Sequence, residues 1–245
     1  MEIHFQAEKL FSLGSIPVTN ALLTTFVVSL LLILFAYFST RKMQKIPSGL
    51  QNFAEIIVEG LLNTIEPLAG ERTKRFFPFI ATFFVFIITA NYFGLLPINS
   101  GFGLVEHSHG EEVIVPIFRS INSDLNATLA LALISVGVTH YFSVTTLGII
   151  DYLKRFFSLN PIYLFVGFLE LISEFTKIIS LSFRLFGNIF AGETLLTTIS
   201  SLAAFVVPLP FMFLEILVGF VQATVFMMLT LVFMLILTEK HNDAH

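Results

Sequence analysis

Apolar and polar positions fall in long blocks along this chain. The first apolar run, Ala21 to Phe38, has about the length a helix needs to cross roughly 30 Å of hydrocarbon at about 1.5 Å per residue. It predicts a span over 18–40. Arg41, Lys42 and Lys45 follow at once, so the positive-inside rule puts that flank in the cytoplasm, or its topological equivalent, and the N-terminus outside. Phe53, Ile56, Ile57, Leu61, Ile65 and Leu68 then recur at helical spacing, with Glu55, Glu59, Asn63 and Glu66 largely opposite. That pattern predicts an amphipathic interfacial helix over 51–69. Arg72, Lys74 and Arg75 precede a second apolar run, which predicts an outward-running span over 76–96.

The connection from Pro97 to Asp124 carries GFG, EHSHGEE and Arg119, a turn-rich composition expected of a solvated loop on the outer face. His107 and His109 beside Glu111 sit in it, too weak a pattern for a metal site. Asp124 is placed to cap a third span over 125–150, which ends at Asp151, Lys154 and Arg155. Its His140 is expected to be a hydrogen-bonded interior residue. From Pro161 the helical pattern persists for roughly twice the length of a perpendicular span, so the helix must tilt steeply or lie partly along the membrane. Pro208 and Pro210 mark a turn, and Phe211 to Thr238 returns before the polar tail EKHNDAH. The expected fold is an all-α integral membrane domain over 1–245. It has about five crossings, the interfacial helix and a long, strongly tilted C-terminal hairpin over 161–238, with the C-terminus inside.

Composition supports a lipid setting. Of 245 residues 56% are hydrophobic, 12% are charged and 30 are phenylalanine, with a mean hydropathy of +0.88. The formal net charge of −4 and the lack of a basic stripe argue against nucleic acid as a partner. Without cysteine there is neither a disulfide nor a thiolate metal site. MEIHFQAEKLFSLGSIP has none of the features of a signal peptide.

The chemistry lies in the polar residues of the long helix. At about 100° per residue, Glu170, Glu174, Lys177, Arg184 and Asn188 share one stripe, while Glu193 lies about 140° from Glu170. A stripe of charges in a membrane helix faces water or a partner, because facing lipid costs about 2.5–3.5 kcal/mol per central charge. Lys177 is spaced to pair with Glu174 three residues earlier. Arg184 has no carboxylate within reach on its own helix, so its partner is expected on another helix or another protein. Glu193 lies about 14 Å beyond Arg184 along the axis, and Glu170 about 21 Å before it. If the last helix folds back antiparallel, Arg184 meets Gln222 and Glu193 meets Glu215 in one register to within two positions. Gln222 would then hold the guanidinium neighbourhood, with a carboxylate pair nearer the outside.

SLSFRLFGNIFAGETLL at Ser180 to Leu196 resembles the signature of the ATP synthase subunit a family, the membrane stators that conduct protons past a rotating ring of c subunits. NYFGLLP at Asn91 to Pro97, SDLNATLALAL at Ser123 to Leu133 and LEILVGFVQATVFMMLT at Leu214 to Thr230 extend the resemblance over most of the chain. It implies that Arg184 faces the carboxylate of each c subunit at mid-membrane. It also implies that Glu193, Glu215, Asn188 and Gln222 line an outer half-channel with Asn91 nearby, and that Glu170 lies near an inner opening. The implied partners are the c-subunit ring, b-type peripheral stalk subunits, the rest of the synthase and membrane lipid. The implied setting is a bacterial plasma membrane, with no cofactor and no covalent chemistry on this chain.

Some relatives carry a histidine where Glu215 or Gly192 stands, and some have an aspartate where Gly94 stands. Two carboxylates and no imidazole at the outer site imply coupled titration. The competing class is an ion-coupled secondary transporter, since charge inside a membrane also marks substrate paths. That class predicts internal pseudo-symmetry, which the sequence does not display.

Overall fold

The computed structural model describes residues 8–13, 16–96, 103–108, 111–156, 161–202 and 206–239. Thr19 opens the first helix, α1 (Asn20–Thr40), its Oγ1 accepting from the Leu22 N–H at 3.3 Å. Helix α2 (Leu50–Ala69) leads through a single 3-10 turn, Gly70–Arg72, into α3 (Thr73–Gly94). Asp124 caps α4 (Leu125–Leu147), accepting from the Asn126 N–H at 2.9 Å. A short helix, α5 (Ile149–Phe156), precedes the 42-residue α6 (Pro161–Leu202) and α7 (Pro208–Thr238). Proline at the first position of α7 suits a helix start, where its missing N–H has no intrahelical partner to lose. A second 3-10 turn, Ile121–Ser123, and two antiparallel hairpins complete the described elements: β1 (Lys9–Leu13) with β2 (Ile16–Thr19), and β3 (Gly103–Ser108) with β4 (Glu111–Pro116).

Helix α7 is the axis of the packing. It runs antiparallel to α3, with Asn91 bonding at Gly219, Phe83 against Phe226, and Arg72 bonding Thr238. It runs parallel to α4, where Ser135 meets Thr230 at 2.8 Å and Ser143 donates to the Leu237 carbonyl at 2.7 Å. Helix α6 is antiparallel to both: Thr128 meets Ser182, and Asn188 meets Gln222. Phe76, Ile80, Ile87, Phe226, Leu231 and Met234 fill the core at these contacts. Small hydroxyl residues supply the interhelical hydrogen bonds, which suits a bundle whose outer surface is as apolar as its interior. That outer surface exposes Phe26, Leu30, Ile33, Phe165, Phe168, Phe175, Phe213 and Leu217 among many others.

Among the described residues, four helical stretches are long and apolar enough to cross a membrane: Asn20–Thr40, Leu50–Gly94, Leu125–Leu147 and Pro208–Thr238. Helix α6, with five charged side chains, makes the difference from the five crossings read in the sequence. Helices α1, α2 and α3 occupy Asn20–Thr40, Leu50–Ala69 and Thr73–Gly94, beside the expected 18–40, 51–69 and 76–96, and two expectations need correction. The span expected over 125–150 stops at Leu147, because Gly148 at φ 86° turns the chain and α5 starts as a separate helix. In place of a featureless loop between Pro97 and Asp124, the chain forms the β3–β4 hairpin, so the fold is helical with two short hairpins added. His107 lies in that hairpin, in register with Glu112, while His109 and the tail from Lys240 lie outside the described residues. Of the apolar face expected on α2, Leu61 and Ile65 are buried while Phe53, Ile56 and Leu68 are exposed.

Candidate ion-conducting site

Polar side chains meet α7 at successive levels, so its turns serve as a ruler. At one end Glu215, 6% exposed, lies against Gly192 of α6. A Cβ on Gly192 would fall 1.8 Å from Glu215 Oε2, so only glycine leaves room for this carboxylate. Glu193, the next residue, is close enough to Glu215 to act on it electrostatically, and its own Oε2 is buried without a hydrogen-bond partner. One turn on, the Gly219 carbonyl accepts from Asn91 Nδ2 at 3.0 Å, and Asn91 Oδ1 accepts from Asn122 Nδ2 at 2.6 Å. Asn122 Oδ1 and Ser120 Oγ are buried and have no hydrogen-bond partner among the described residues. Next, Gln222 Oε1 accepts from Asn188 Nδ2 at 2.6 Å.

Arg184 lies one turn below Asn188, at the level of Phe226. Phe226 packs on Phe83, about halfway along α3, so the guanidinium is near mid-depth of the bundle. The residue is exposed, and its Nη2 donates to Ser180 Oγ at 3.2 Å. Among the described residues no carboxylate comes within ion-pair distance of it. Gln222, expected beside the guanidinium, instead binds Asn188, because Asn188 is the residue directly across the α6–α7 register. The rest of the expected stripe divides as well: Arg184 and Asn188 are exposed, whereas Glu174 is buried.

Below Arg184 a second polar cluster gathers from three helices. Glu174 accepts from Lys177 at 2.6 Å, and the Lys177 ammonium sits 4.8 Å from the centre of the Phe233 ring on α7. Glu174 Oε2 is 3.5 Å from His140 Nε2 of α4, and His140 Nδ1 is 3.0 Å from the Tyr152 hydroxyl of α5. One turn beyond Glu174, Glu170 pairs with Arg155, whose Nη1 also donates to the Ile236 and Leu237 carbonyls at the end of α7. Those carbonyls are the negative end of the helix dipole, so the arginine serves both. Between the two polar clusters the buried contacts are mainly apolar, Leu181, Leu185, Phe226, Met227 and Leu231, with the hydroxyl pairs Thr128–Ser182 and Ser135–Thr230 included and, among the described residues, no buried charge.

The structure therefore brings Glu193 together with Glu215, Asn188 with Gln222, and Asn91 with Gly219 beside that group. Glu170 lies at the opposite end, and Arg184 stands between on the exposed face. The Lys177–Glu174 pair and the hydrogen-bonded His140 are as the sequence suggested. Asn122, Tyr152 and Arg155 were not singled out from the sequence. The lone polar residues Asn122 and Tyr152 gave no periodic signal, and Arg155 read simply as a basic flank.

A family model described as ATP synthase A chain matches residues 22–235. ATP synthase subunit a of Gloeobacter violaceus is 38% identical over 237 residues, covering 96% of this chain and 90% of that protein. Subunit a of Trichlorobacter lovleyi is 36% identical over 217 residues, with 87% and 85% covered. Subunit a of Moorella thermoacetica is 31% identical over 238 residues, with 97% and 99% covered. With a match running from the first helix to the last and relatives alike over nearly their whole lengths, this chain belongs to the ATP synthase A chain family.

Proposed function

We propose that this chain is the ion-translocating stator of an F-type ATP synthase, an integral membrane subunit that passes protons to and from a rotating ring of carboxylates. The observation that carries this reading is the separation of two polar clusters by a mainly apolar layer free of buried charge, with an exposed arginine at mid-depth between them. A continuous polar wire through the subunit would short-circuit the gradient. Two half-paths that stop short of each other force each proton onto a carrier outside the chain. Exposed on this subunit, Arg184 meets such a carrier, the acid of each c subunit.

An arginine stays charged at any physiological pH, so it relays no proton and acts as a fixed cation. Its field favours the ionised form of an approaching carboxyl group, which gives up its proton to one half-path. The ring moves on once the next site is neutralised from the other half-path. Glu193, Glu215, Asn188, Gln222 and Asn91 form the outer half-path in this reading, and Glu170 belongs to the inner one. A charge crossing 100 mV supplies about 2.3 kcal/mol, and several ions drive one ATP.

The chain then crosses the membrane five times, α6 being tilted because its 42 residues span about 63 Å. The arginine-rich end of the bundle, with Arg72, Arg75 and Arg155, faces the cytoplasm together with the C-terminus, and the N-terminus faces out. Bacterial relatives point to the plasma membrane, and b-type stalk subunits hold the stator against rotation. The chain itself carries no covalent chemistry. A secondary transporter is disfavoured by family membership.

Arg184→Ala tests the reading in the assembled synthase. Loss of proton-driven ATP synthesis with the complex intact is the expected outcome. Retained coupling overturns the role given to Arg184.

A further inference from the structure

The inner cluster contains a group that the stator reading leaves without a task. His140 sits between two oxygens from different helices, the Tyr152 hydroxyl at Nδ1 and Glu174 Oε2 at Nε2. Glu174 needs no histidine for its charge, because Lys177 already neutralises it through the other oxygen, Oε1. The His140 side chain is 27% exposed, so it is packed and yet reachable by water. It also lies between two polar groups of the cluster, the Glu174–Lys177 pair on α6 on one side and Tyr152, within the field of the Arg155–Glu170 pair, on the other.

We propose that His140 is a proton carrier of the inner half-path, moving protons between the Glu174 carboxyl and the water on the Tyr152 side. This inference rests on the stator reading. Two protonation patterns fit the observed positions, a hydrogen bond at Nδ1 and a 3.5 Å approach of Nε2 to Glu174 Oε2. In one, the Tyr152 hydroxyl donates to Nδ1 and Nε2–H points to Glu174. In the other, Nδ1–H donates to the Tyr152 oxygen and Nε2 accepts a proton from Glu174. Passage between them takes one proton in at one ring nitrogen and gives one out at the other. No heavy-atom bond changes and no electrons are exchanged. A purely structural histidine needs only the hydrogen bonds, whereas a carrier needs both protonation patterns.

The charged and titratable groups facing the ring are Glu174 and Lys177 from α6, with Tyr152 and Arg155 from α5, and Glu170 of α6 pairs with that Arg155. Helix α7 adds the Phe233 ring over Lys177 and the two carbonyls bound by Arg155. The two acids and two cations balance, so the ring can exchange one neutral tautomer for the other without a change in the charge of the cluster.

The test uses the complete synthase in liposomes, with ATP synthesis measured while the pH of the inner face is varied and that of the outer face is fixed. His140→Gln keeps hydrogen-bonding capacity and removes proton transfer. It is expected to lower the rate at least fivefold, to flatten its dependence on inner-face pH, and to recover in part when free imidazole is added. A rate and inner-face profile equal to those of the parent overturn the proposal. Tyr152→Phe keeps the ring contacts with His140 and Phe156 and removes only the hydroxyl. It is the second variant should His140→Gln fail to assemble, with a several-fold loss expected and parental behaviour overturning the proposal. Arg184→Ala in the same preparation separates the two readings. Retained coupling there overturns the stator reading, while lost coupling beside a parental His140→Gln overturns the carrier alone.

Discussion

Gly192→Ala is a one-carbon change that should disable the outer site. The added Cβ would stand 1.8 Å from Glu215 Oε2 and 2.2 Å from both Cδ and Oε1. An ordinary contact needs about 3.5 Å, so the carboxyl group must retreat by more than 1.5 Å. Glu215 is only 6% exposed, and the retreat therefore pushes into packed side chains. Forcing an extra carbon into a packed interior costs about 1–3 kcal/mol. If that strain falls on the present position of the carboxyl group, its population drops roughly five- to a hundredfold. The assay is proton-driven ATP synthesis in liposomes, normalised to the amount of assembled complex, and a loss within that range is expected. Pairing Gly192→Ala with Glu215→Asp withdraws the carboxyl group by one methylene and should restore part of the rate. Parental activity in the single variant would refute both the wedge and the importance of the carboxylate's position.

Three other outcomes follow from the same contacts. Glu193→Gln combined with Glu215→Gln removes every carboxylate from the outer group and should slow conduction far more than either change alone, whereas an unaltered rate would exclude the pair from the path. Asn122→Ala leaves Asn91 Oδ1 without its 2.6 Å donor in a fully buried place; a loss of about 1–3 kcal/mol should appear as a lower thermal midpoint of the complex. Gly148→Ala places a side chain at φ 86° and ψ 155°, a backbone state nearly confined to glycine. It should cost about 1–3 kcal/mol by the same thermal measurement, with unchanged stability contradicting the assigned turn.

The sequence reveals more of the α6–α7 hairpin than of any other part. These helices are neighbours in the chain, so an antiparallel return fixes which residues share a level, and two polar pairs suffice to set the register. That reasoning brings Glu193 to Glu215 correctly and errs by one turn at Arg184, where Gln222 binds Asn188 instead. A wheel gives angle alone, so it places Glu174 and Arg184 on one stripe without showing that α4 and α5 cover the first and leave the second bare. The Asn91–Asn122 contact and the Arg155–Glu170 pair depend on how separate helices pack. Nothing periodic in the chain encodes them. The β3–β4 hairpin was hidden by Gly, His and Glu, which read as loop, although Val113 to Val115 is a short strand-forming run.

The central claim is that one permanent cation, near mid-depth and between two separated polar clusters, faces the acids of the rotor. A density map of the complete synthase tests it most directly. The account predicts the Arg184 guanidinium within about 4–6 Å of a ring carboxylate, the range over which a cation favours the ionised acid. A guanidinium turned to lipid, or held against its own chain and away from the ring, would contradict it.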